Sequence, residues 1–85
     1  MLFNKEGIIT MQSNYNMILK GLYPELSARE HNIMSQLINR KLRKHQDEIR
    51  KVELYNQEFI IRGPDQKFSK VEVFNRTIHL RITLK

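Results

Sequence analysis

Cysteine and tryptophan are absent from this sequence of 85 residues, glycine occurs three times and proline twice. Without cysteine there is no disulfide and no thiolate metal ligand, which excludes the small secreted disulfide scaffolds and fits a reducing compartment. Three isolated glycines do not make a Gly-rich phosphate loop. Aspartate is confined to Asp47 and Asp65, and His31, His45 and His79 stand too far apart for a local zinc motif. No apolar run approaches the ~20 residues that cross a bilayer. The opening MLFNKEGIITMQSN has neither the basic start nor the long apolar stretch of a signal peptide. The expectation is a soluble, cytoplasmic chain with no membrane partner, no metal and no cofactor.

What the sequence has in excess is positive charge: fifteen Lys and Arg against nine Asp and Glu, for a net charge of +6. Residues 1–26 balance, residues 27–51 carry seven cations against three carboxylates, and residues 52–85 carry six against four. A pI near 9.9 on one small domain, residues 1–85, is the electrostatic footprint of a protein that meets polyanions.

The stretch Ser27 to Lys51 has the pattern of one long amphipathic helix. Ser27 and Glu30 have the spacing of a capping box, and Pro24 discourages helix just upstream. At 100° per residue, Ile33, Met34, Leu37, Ile38, Leu42, His45, Ile49 and Val52 form an apolar stripe. Arg29, Arg40, Arg43, Lys44, Arg50 and Lys51 gather on the opposite side. Asp47 and Glu48, four residues from Arg43, Lys51 and Lys44, would pair with part of that basic face.

Before this segment, Ser13 to Leu22 has the pattern of a short helix, and residues 2–11 that of a strand. After it the period changes to two. Phe59-Ile60-Ile61 reads as the end of a strand at residues 58–62, closed by Gly63-Pro64-Asp65; residues 68–74 and 77–84 read as a hairpin. The predicted fold is α+β: a short helix and a long amphipathic helix packed on a three-stranded antiparallel sheet, with an N-terminal strand as a further element. A turn at Asn75-Arg76 would place Val73 opposite Ile78, Glu72 opposite His79, Lys70 opposite Arg81 and Phe68 opposite Thr83. Two like charges facing each other are destabilising unless an anion visits them, so that pair points to a phosphate contact.

No convergent catalytic group emerges from these patterns. The reading is a small non-enzymatic nucleic-acid-binding protein, regulatory or accessory, with DNA or RNA as partner. Phosphates would meet Arg40, Arg43, Lys44, Arg50 and Lys51 on the helix, and Phe68, Lys70, His79 and Arg81 on the outward face of the hairpin, with Phe74 and Lys85 beside them. Tyr15, Leu54, Tyr55 and Phe59 are left over as candidates for a homodimer interface. The order strand, helix, helix, three-stranded meander resembles the ribosome-dependent mRNA-cleaving toxins of toxin–antitoxin pairs. That resemblance would give Arg62, His79, Arg81 and Lys85 roles on RNA. Leu26-Ser27-x-x-Glu30 ahead of an apolar helical run also resembles the opening of winged-helix domains, including plasmid replication initiators. A third reading is a protein-interaction module, such as a small inhibitor from a phage or mobile element, whose partner is another protein.

Overall fold

The computed structural model describes residues 14–85; the expected strand over residues 2–11 and the expected start of the short helix at Ser13 lie outside them. The fold is α+β, with two helices followed by a three-stranded antiparallel sheet. The chain divides into two compact units, Met1–Gln46 and Asp47–Lys85.

In the first unit, α1 (Asn16–Leu22) and α2 (Ala28–Leu42) pack on each other. The Asn14 side-chain oxygen accepts the Asn16 N–H at 2.8 Å, and the Tyr15 N–H donates to Ser35 Oγ at 3.1 Å, tying the start of α1 to the flank of α2. The capping box is formed in both directions. The Glu30 N–H donates to Ser27 Oγ at 3.1 Å, and the Ser27 N–H donates to the Glu30 carboxylate at 2.8 Å. Two of the orphan donors that every helix start leaves are thereby satisfied. Behind it, the buried His31 donates from Nε2 to the Tyr23 carbonyl at 2.7 Å, holding the connection between the helices. Leu19, Met34, Ile38 and Leu42 are fully buried, whereas Ile33 and Leu37 are half-buried at the margins of the stripe.

The long helix ends earlier than its periodicity suggests. α2 stops at Leu42, a 3-10 turn covers Arg43–His45, and Asp47 and Glu48 lie in the turn that follows rather than on a helix face. The chain then enters β1 (Ile49–Tyr55). Arg50 and Lys51 are therefore strand residues and take no part in a basic helix face. Ile49 and Val52 are three apart, as a helix requires, but Val52 and Leu54 are two apart, as a strand requires. Pairing of Val52 with Ile82 and Leu54 with Leu80 selects the strand.

The sheet has the order β1-β3-β2, with β2 (Gln66–Val73) and β3 (Arg76–Leu84) forming a hairpin and β1 on the other side of β3. Residues 58–62 are not a strand. They belong to the 56–65 connection, where Ile60 is 96% and Ile61 79% exposed. Both outer strands are antiparallel to β3, so they run parallel to each other, and the connection must carry the chain back across one face of the sheet. Ten residues reach about 33 Å when extended, enough for that return. It ends at the expected Gly63-Pro64-Asp65 turn, where the Gly63 N–H donates to Gln66 Oε1 at 2.9 Å.

The hairpin turns on Phe74 and Asn75, not on Asn75 and Arg76. Their φ values of 53° and 58° are those of a type I′ turn, whose twist suits the flanking strands. The register consequently moves by two residues, a shift that preserves which side chains share a face. Val73 faces Arg76, Val71 faces Ile78, Glu72 faces Thr77, Lys70 faces His79 and Phe68 faces Arg81. Leu54, Val71, Ile78, Leu80 and Ile82 are buried together on one face. Phenylalanine is an unfavourable residue for the left-handed region. Replacing Phe74-Asn75 by Asn-Gly is expected to stabilise the protein by about 1 kcal/mol, read as a raised urea midpoint; a lowered midpoint would mean that packing of the Phe74 ring outweighs the backbone cost.

Candidate functional site

The outward face of the sheet carries Glu53 and Tyr55 from β1, Phe68, Lys70 and Glu72 from β2, and His79 and Arg81 from β3. Arg81 lies between Glu53 and Phe68 in the ladder and makes a two-pronged contact with Glu53, with Nε and Nη2 at 2.9 and 3.0 Å from its two carboxylate oxygens. The Tyr55 hydroxyl completes a triangle, donating to Glu53 at 3.1 Å and accepting from Arg81 Nη2 at 3.2 Å. Both charged side chains are 23% exposed, so this pair is better shielded from water and salt than an ordinary surface pair.

The connection after β1 lays Phe59 over this triangle. Its ring centroid is 4.7 Å from that of Tyr55, 5.3 Å from Phe68 and 6.5 Å from His79. The Arg81 guanidinium sits 4.9 Å from the Phe59 centroid and 5.5 Å from that of Tyr55, while the Arg62 guanidinium lies 4.7 Å from Phe68. These are distances for cation–π attraction. An open depression of about 270 Å³ remains beside the cluster, lined by Glu58, Phe59, Arg62, Phe68, Lys70 and His79.

The facing Lys70–Arg81 pair expected of this surface does not occur. Lys70 is opposite His79 and has Glu72 at 3.6 Å, and Arg81 is closed by Glu53. Nor is Phe68 an open stacking platform, because Phe59 and Arg62 already lie against it. Among the other hairpin residues, Phe74 is in the turn, and Lys85 follows β3, with its N–H donating to the Glu48 carbonyl at 2.8 Å. Of the expected dimer residues, Tyr15 and Leu54 are buried, and Tyr55 and Phe59 belong to the ring cluster.

The Arg81 hydrogen bond, opposed by desolvation and aided by the Tyr55 hydroxyl and by the charges of Arg81 and Lys51, lowers the Glu53 pKa below the usual glutamate value. A lowered folded-state pKa stabilises the protein above the unfolded pKa, and that contribution is lost as pH falls through the folded value. Glu53→Gln should therefore be less stable than the parent at neutral pH, with the difference shrinking as pH falls below the ordinary glutamate range. Urea midpoints of both proteins at about pH 7 and pH 3 test this; a constant difference would detach the carboxylate's charge from the effect.

The second group of cations is on α2 and the 3-10 turn. Arg40, Lys41, Arg43 and Lys44 are all exposed, and none has an ion-pair partner among the described residues. Arg50 and Lys51 are on β1 in the second unit, exposed, with Lys51 3.9 Å from Glu53. Within the first unit the structure gathers Arg40, Arg43 and Lys44, and within the second it gathers Phe68, Lys70, His79 and Arg81. Sequence reasoning named Tyr55 and Phe59 only as dimer candidates and did not single out Glu53. The alternation Val52-Glu53-Leu54-Tyr55 is the signal that marks Glu53 and Tyr55. No group of three or more His, Asp or Glu suited to a metal occurs among the described residues, and no helix there is long and apolar enough to cross a membrane. Comparison with family models, curated proteins and solved structures gives no match for this chain.

Proposed function

We propose that this protein binds nucleic acid and contacts phosphates chiefly through Arg40, Lys41, Arg43 and Lys44. The observation that supports this reading is the imbalance between the two basic groups. On the sheet, Arg81, Lys70 and Lys51 each have a carboxylate within 4 Å, while Arg50 and Lys67 have none among the described residues. At the end of α2, four cations occur in five residues with no carboxylate partner among the described residues. A helix C-terminus favours cations through its dipole, while Arg40, Arg43 and Lys44, at i, i+3 and i+4 spacing, also repel one another. A polyanion relieves the repulsion and releases its own counterions.

The test is fluorescence anisotropy with labelled oligonucleotides across a salt series. Binding should weaken linearly in log–log form, with a slope of about −3 to −4 if each cation meets one phosphate. Salt-independent binding, or none to any nucleic acid at low salt, overturns the reading. The role we read for such binding is regulatory or accessory.

A further inference from the structure

Next to the basic cluster, α2 presents a stripe of another chemistry. Arg29, Asn32, Gln36, Arg40 and Arg43 are all exposed and fall within an arc of about 100° on the helix. They are well removed from the buried side formed by His31, Met34, Ile38 and Leu42. No aliphatic side chain interrupts the stripe. The one carboxylate of α2, Glu30, is turned back onto the Ser27 N–H. A merely solvated helix face is usually filled with alternating Glu and Lys at i, i+4 spacing; here the middle is two amides and both ends are guanidinium groups. An open depression of about 360 Å³ runs along the stripe, lined by Asn32, Gln36, Asn39, Arg40 and Arg43 together with Asn14 and Ser35.

We infer that α2 lies in the major groove of B-form DNA, with Asn32 and Gln36 at base edges and Arg29, Arg40 and Arg43 at flanking phosphates or guanines. This rests on the nucleic-acid reading above and adds the substrate class. Amide side chains are the groups that pair two-pronged with adenine, as arginine does with guanine. The stripe is about 21 Å long at 1.5 Å per residue, sufficient to cross a groove about 12 Å wide and reach phosphates on both sides. The major groove of A-form RNA is too deep and narrow for side chains to read, so duplex RNA does not suit this surface.

The experiment is selection from a randomised duplex DNA library, followed by affinity measurements on the selected duplex, a scrambled duplex, the matching single strand and a duplex RNA. The proteins are the parent and Asn32→Ala/Gln36→Ala. Both substitutions are exposed and raise helix propensity, and an unchanged urea midpoint confirms the fold. The parent should enrich a motif of a few base pairs. The variant should retain the parent's salt slope and its affinity for the scrambled duplex, while losing roughly 5- to 150-fold of discrimination for each two-pronged contact removed. The inference is overturned by duplex binding without sequence preference, by preference intact in the variant, or by tighter binding to single strands or RNA, and each of these leaves phosphate binding standing. Absence of salt-dependent binding to every probe overturns both readings together.

Discussion

Changing Arg40, Arg43 and Lys44 together to glutamate is expected to weaken binding to duplex DNA by a hundredfold or more near ~0.1 M salt and to flatten the salt slope by ~3. Three neutralised phosphates account for the slope, and repulsion by the three new carboxylates adds to the loss. Negative charge at a helix C-terminus also opposes the helix dipole, so the alanine triple variant is the companion. It should give the same loss of slope with a smaller loss of affinity and an intact helix. Arg50→Glu/Lys51→Glu on β1 tests location against net charge. Equal loss of affinity per charge in the helix and strand variants would mean that the whole protein's field, not this cluster, attracts the nucleic acid.

Leu80→Ala should cost ~2–5 kcal/mol, the range for removing a leucine from a packed interior. Leu80 is fully buried on the central strand, between Leu54 on one side and Ser69 on the other. A domain of this size has a total stability on the order of 4–13 kcal/mol, so the variant should be markedly destabilised in urea at room temperature. Leu37→Ala should cost less, because Leu37 is half-buried. Equal midpoints for Leu80→Ala and the parent would show that this face of the sheet is not core.

The start of α2 was legible because a capping box is a local device: Ser27 and Glu30 need only each other. Its end was not, because Ile49 and Val52 keep the helical period while Val52 and Leu54 have that of a strand, and pairing with β3, some thirty residues away, makes the choice. The strand β3 was legible from the alternation of Ile78, Leu80, Ile82 and Leu84. The turn before it was missed because Phe74 carries no chemical preference for positive φ, yet the two-residue error left both faces correctly composed. Phe59 was misread for a different reason. Its apolar neighbourhood looks like a strand, but its ring is held by Tyr55, Phe68 and Arg81, with no ladder of its own. Once β1 was misplaced, Glu53 could not be recognised as the partner of Arg81, and two cations without carboxylates suggested a phosphate site that the sheet does not need. Arg40, Arg43 and Lys44 are legible in sequence as cations within five residues on one side of a helical pattern; Asn32 and Gln36 stand at helical spacing too, but amides carry no charge by which a sequence marks a face.

The strand order has a consequence for how the chain acquires its structure during synthesis. β1 and β2 leave the ribosome before β3, and neither pairs with the other. Both must wait, with their backbone groups satisfied by water alone, until the strand that joins them emerges. The neighbouring pair then closes through its tight turn, and β1 docks last, over the longer intervening chain. For that interval Leu54 and the rings of Tyr55 and Phe59 are uncovered in the nascent chain. The interval is the period in which this protein is most exposed to mispairing with a second copy or to capture by a chaperone.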